Sequence, residues 1–130
     1  MARGNIDLAR QVIDAVEHRD LDRLIALTDP EVEWHSAFAL GGRYDGHAGM
    51  TQYVMDMNDA WDVVTLLIDH ELGVGNIVLL IGRIHYRGKG SGVEGESPSG
   101  YMLKFLGGKV VRFRPFREPE KALEFIGLPE

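Results

Sequence analysis

The stretch Asn76–Arg87, NIVLLIGRIHYR, constrains this chain more than any other. It opens as an unbroken apolar run and closes on charged and aromatic residues. In an extended strand, residues two apart share a face. One face therefore carries Ile77, Leu79 and Ile81, then Arg83, His85 and Arg87. The other carries Val78, Leu80, Gly82, Ile84 and Tyr86, apolar almost to the end. A strand buried on both sides at one end, and cationic on one side at the other, suits a sheet wall. Such a wall runs from a core into a cavity or into water.

The surrounding elements follow in order. Asn5 is placed to cap a first helix, with Ile6, Ala9, Ile13 and Val16 at helical spacing and Arg10, Asp14 and Glu17 opposite. Asp20 caps a shorter helix carrying Leu21, Leu24, Ile25 and Leu27, which Asp29-Pro30 stops. Glu31–Ser36 alternates as a strand, with Val32 and Trp34 on one face and Glu33 and His35 on the other. A loop containing Gly41, Gly42 and Gly46 leads to a third helix from about His47. Its apolar stripe is Met50, Tyr53, Val54, Met57 and Trp61.

From there the period changes. Val63–Leu72 reads as a strand, Gly73–Gly75 as a turn and Asn76–Arg87 as the next strand. A glycine-rich hairpin tip follows around Ser91-Gly92. Tyr101–Leu106 and Lys109–Phe116 flank Gly107-Gly108, a strong hairpin signal. Pro119 to Gly127 reads as a last short helix. Helices first, then a strand, a helix and hairpin-linked strands make an α+β fold. A curved antiparallel sheet packs with one face on the helices.

The 130 residues fit one domain spanning 1–130, and 45% hydrophobic content is enough for a core of its own. A net charge of −6 argues against nucleic-acid and anionic-membrane partners. No run reaches the ~20 apolar residues of a membrane span, and the N-terminus lacks a signal peptide's apolar segment. A cytoplasmic protein is the simplest expectation. The absence of cysteine removes thiol nucleophiles, disulfides and cysteine-held metals. No His-Glu-x-x-His spacing occurs, so no metal and no other cofactor is expected.

Several phrases, in this order and spacing, resemble the SnoaL-like polyketide cyclase family of the nuclear transport factor 2-like superfamily. They are AVEHRDLDRLIALTDPEVEWH, YDGHAGMTQYV, GKGSGVEGE and GGKVVRFRPFREPEKALEFIGL. The resemblance covers nearly the whole chain. It implies a cystatin-like, ketosteroid isomerase-like cone with a pocket between sheet and helices, and homodimers formed through the sheet. The superfamily holds cyclases, isomerases, epoxide hydrolases, dehydratases and binding proteins, so chemistry must be argued residue by residue. The isomerases' general-base aspartate aligns with Trp34 and their oxyanion-hole tyrosine with about Val12. The acid on the last strand of cyclases and epoxide hydrolases aligns with Pro115. The hydrolases' Arg-x-Asp aligns with Arg83-Ile84-His85, which keeps the arginine and replaces the acid.

Arg83 and His85 are accordingly the candidate catalytic pair, on one strand face and about 7 Å apart. Histidine can move a proton near neutral pH while arginine steadies an oxyanion. A solvated strand end is the competing reading. Trp34, Tyr53, Met57, Trp61, Tyr101, Leu103 and Phe113 are the candidate lining, and family geometry turns Phe113 and Pro115 inward. The expected ligand is a small molecule of apolar or mixed polarity. Two functions stay open. One is metal-free acid–base catalysis of lyase, isomerase or hydrolase type. The other is a non-catalytic binding or dimerisation module that has lost the family's acids.

Overall fold

The computed structural model describes residues 2–36, 42–116 and 118. Its elements are α1 (Ala2–Glu17), α2 (Leu21–Leu27), β1 (Thr28–His35), β2 (Arg43–Asp45), α3 (Gly46–Ala60), β3 (Trp61–Val74), β4 (Ile77–Gly88), β5 (Glu94–Leu106) and β6 (Lys109–Phe116). The six strands form one sheet in the order β2-β1-β6-β5-β4-β3. The fold is α+β, as the element order predicts, and the sheet is open rather than closed into a barrel. The sheet is mixed. β1 and β6 run parallel, and every other neighbour pair is antiparallel. A parallel pair needs a long crossover; here α3 and the three strands β3–β5 supply it.

Several boundaries differ from the sequence reading. α1 already runs from Ala2, so Asn5 lies inside it. Asp20 does cap α2, its Oδ1 accepting the Arg23 amide at 3.2 Å. The predicted loop before α3 contains the short strand β2. The largest difference is β5, which begins at Glu94 rather than Tyr101. Its first half, EGESPS, looks like a loop by propensity. What makes it a strand is its neighbour: Glu94 pairs with Arg87 and Glu96 with His85. Opposite charges across a ladder favour pairing. Pro98 is tolerated because the β5–β6 register starts only at Gly100, so the missing N–H faces no described strand. The predicted helix from Pro119 to Gly127 lies outside the described residues.

α1 and α3 lie on one face of the sheet. Ala9, Val12, Ile13 and Val16 of α1 are buried there, with Met50, Tyr53, Val54 and Met57 of α3. They meet Val78, Leu80 and Ile84 of β4, Leu103 and Phe105 of β5, and Trp34 and Phe113 of β1 and β6. Gly82 sits on this inner face beside a bulge in β3 between Ile68 and His70. A Cβ there would stand 1.8 Å from the Leu67 carbonyl oxygen, so only glycine lets the two strands close.

Candidate functional site

A narrow hollow lies between α1, α3 and the inner face of the sheet. Val16, Tyr53 and Met57 line it from the helices, and Val64, Leu66 and Ile84 from β3 and β4. Tyr101, Phe113 and Pro115 line it from β5 and β6, with His35 and Ser36 at the end of β1. It leaves about 20 Å³ for the centre of a water molecule, room for about one water. A larger guest has to move a side chain, and Met57, unbranched and flexible, is the one suited to yield.

The wall is aromatic because consecutive strands put rings opposite one another. Trp34 of β1 is paired with Phe113 of β6, and their rings stack at 4.0 Å and 10°. Tyr101 stacks on Phe113 at 5.8 Å. Tyr53 of α3 tilts against Trp34 at 5.4 Å and meets Tyr44 edge-on at the same distance. Such contacts fix ring positions beyond simple burial.

Beside His35 and Ser36, two phenols add polarity to this wall. Burial, first of all, pushes the Tyr101 hydroxyl up to about 12 and raises that of Tyr53 as well. Both therefore stay protonated at neutral pH and can donate. The Tyr101 hydroxyl is buried without a hydrogen-bond partner, as is Trp34 Nε1. Ser99 stands beside the first and the Tyr53 hydroxyl beside the second, short of full hydrogen-bond geometry. An unsatisfied buried donor costs ~1–3 kcal/mol and calls for an explanation.

One acid at the end of α1 ties that helix to β3. Glu17 Oε2 accepts the Leu66 amide at 3.3 Å. Burial raises its pKa against the opposing Leu66 bond, and its charge reaches Tyr101. The sequence reading put Glu17 on the polar side. Yet it stands four residues after Ile13, one helical turn along the same buried row, and that spacing was the available signal.

The predicted catalytic pair is elsewhere. β4 turns Val78, Leu80 and Ile84 inward, so Arg83 and His85 project from the outer face, their side chains 48% and 34% exposed. Arg83 donates to Glu96 Oε1 at 2.8 Å and lies 3.6 Å from Asp69. His85 Nε2 meets Glu94 Oε2 at 2.8 Å. The expectation that this face enters the cavity is corrected: the helices cover the other face, which is apolar for longer. Glu96, first through its hydrogen bond, raises the Arg83 pKa, which keeps the guanidinium charged and tied to its neighbours.

Of the predicted lining, Tyr53, Met57, Tyr101 and Phe113 border the hollow. Trp34 and Leu103 are fully buried in the core next to it. Trp61 opens β3, half-buried, edge-on to Tyr86 at 5.4 Å. His47 Nε2 donates to the Thr28 carbonyl at 3.0 Å, tying α3 to β1. Among the described residues, no three His, Asp or Glu side chains gather as metal ligands. None of the described helices is long and apolar enough to cross a membrane.

Residues 9–113 match the profile of the SnoaL-like domain. The chain belongs to the SnoaL-like domain family. Solved structures share the SnoaL-like fold over nearly their full length. An NTF2-like protein of unknown function from Burkholderia pseudomallei is 20% identical, with a TM-score of 0.79 over 95% of this chain and 98% of that one. TerC, co-crystallised with polyporic acid, is also 20% identical, with a TM-score of 0.76 over 95% and 98%. A candidate SnoaL-like polyketide cyclase from Shewanella denitrificans is 18% identical, with a TM-score of 0.77 over 94% and 96%. At these identities the likeness is one of fold. No curated protein sequence matches this SnoaL-like domain.

Proposed function

We propose that this SnoaL-like domain binds a small, flat, mostly apolar molecule that carries an acceptor oxygen. The observation behind this reading is the buried, unpartnered Tyr101 hydroxyl on the wall of a mostly apolar hollow. A donor held there is matched by a carbonyl or ether oxygen. Indole Nε1 is a donor only. Trp34 Nε1 faces the Tyr53 oxygen as a donor, which leaves the Tyr53 O–H as a second donor for the guest. Stacked Trp34, Phe113 and Tyr101 rings suit a planar ligand. The co-crystallisation of TerC with polyporic acid is in keeping with a fold that holds small molecules.

Acetophenone, with one ring and one carbonyl, is a fitting probe, followed by tryptophan fluorescence. Saturable binding is expected. Tyr101→Phe should weaken it about tenfold, the worth of one hydrogen bond, at unchanged thermal stability or better. Binding that is absent, or equal in both proteins, would remove this reading. Native mass spectrometry of freshly purified protein would reveal any small molecule retained from the cell.

We also infer that two copies pair through the outer face of the sheet. Leu72 and Val74 are exposed there, beside Ile77, Leu79, Ile81 and Met102. The neighbouring rows of Arg83 and Arg87 on β4 and Glu94 and Glu96 on β5 give a two-fold contact matching charges. Wild-type dimers and monomeric Leu72→Lys protein, compared by native mass spectrometry, are the expected result; a monomeric wild type ends this second inference.

A further inference from the structure

The first half of β5, Glu94–Ser99, is held differently from the rest of the sheet. Among the described residues it pairs with β4 alone, because the β5–β6 register begins at Gly100. Its sequence, EGESPS, has little strand propensity of its own. On the inner face it offers Gly95, Ser97 and Ser99, which bury little apolar surface. Besides the backbone ladder, what holds it is the outer face, where Glu94 and Glu96 meet His85 and Arg83. We propose that His85 is a pH-sensitive latch for this arm. It fastens the arm to β4 while the imidazole is charged and lets it loosen when the imidazole is neutral.

His85 stands between two carboxylates of the same arm. Its Nε2 is 2.8 Å from Glu94 Oε2, and its Nδ1 is 3.9 Å from Glu96 Oε2. A neutral imidazole has one N–H. Donating it to Glu94 through Nε2 turns the Nδ1 lone pair towards Glu96. A charged imidazolium presents an N–H to each carboxylate. Other charges border the latch. Arg83 donates to Glu96 Oε1 at 2.8 Å and lies 3.6 Å from Asp69 of β3. Arg87, on the far side, lies 3.8 Å from Asp62 of β3. Directly opposite His85 on β3 is Thr65, which is uncharged. Histidine is the side-chain type that changes charge between about pH 5 and 8. Its attraction to both carboxylates exists only with the arm closed. The stabilisation is therefore full on the acid side of that interval and lost as pH rises through it. Ser97 pairs with Ile84, a lining residue, so the arm backs one wall of the hollow.

Amide hydrogen exchange at pH 6 and pH 8, corrected for the intrinsic exchange rate, reads how often the arm opens. Protection of Glu94–Ser99 should fall about threefold from pH 6 to pH 8, the scale of a part-exposed ion pair. Protection of Tyr101–Leu106, flanked on both sides by strands, should stay constant. His85→Gln carries no charge at either pH. It should lose the dependence and sit at the wild-type pH 8 level. His85→Lys is charged at both, and should lose the dependence at the pH 6 level. The wild-type fall should persist in the Leu72→Lys background, which removes contact between copies. Equal wild-type protection at the two pH values overturns the proposal. So does a fall in His85→Gln as large as the wild type's, a His85→Lys arm no better protected than that of His85→Gln, or a fall that vanishes with Leu72→Lys.

Discussion

The two faces of one sheet differ in almost every respect here. The inner face is dry and aromatic. Trp34, Phe113 and Tyr101 stack side by side, and α1 and α3 seal them from water. The outer face of the same sheet carries, on β3, β4 and β5, a ladder of ion pairs: Arg83 with Glu96 and Asp69, His85 with Glu94, and Arg87 with Asp62. Residues of both faces alternate along β4, so neighbours in sequence live in opposite solvents. Ile84 lines the hollow, while Arg83 and His85 on either side of it are half in water. Charge and hydrogen-bonding capacity therefore mean different things on the two sides. Outside, water competes for every partner, and an ion pair gains little. Inside, a single phenol without a partner is a costly and directed feature.

Four substitutions can break or sharpen that contrast. The largest effect is expected on the inner face. Phe113→Ala removes the ring between Trp34 and Tyr101, and should cost about 3–5 kcal/mol in chemical denaturation. It should also abolish acetophenone binding. Gly82→Ala comes next. The added methyl meets the Leu67 carbonyl, a backbone atom that cannot rotate away, so about 1–3 kcal/mol of destabilisation is expected in the same assay. The smallest effect belongs to the outer face. Arg83→Ala and His85→Ala should leave probe binding unchanged and hardly move the thermal midpoint of the monomer. Loss of binding in either variant, with the fold intact by circular dichroism, would contradict the assignment of that face to the exterior.

Part of this site could be read from residue patterns. The third-helix stripe placed Tyr53 and Met57 together, and strand alternation put Val32 with Trp34 on the buried side. Glu17 was within reach of the same reasoning, because its spacing from Ile13 assigns it to the covered row of α1. The first half of β5 was not. Glu94–Ser99 has the composition of a loop, and only pairing with Arg87 and His85 on β4 makes it a strand.

What the amino-acid sequence determined by itself is the parity of β4: Arg83 and His85 on one side, Val78 and Ile84 on the other. Its period of two permits nothing else. Which side became the interior was a different matter, since both begin apolar, with Ile77, Leu79 and Ile81 balancing Val78 and Leu80. Tertiary packing decided it. α1 and α3 settled where the apolar run was longest, and covering that side spared the two cations the desolvation that burial demands. The same packing brought the Glu17 carboxylate of the first helix onto the Leu66 amide of β3.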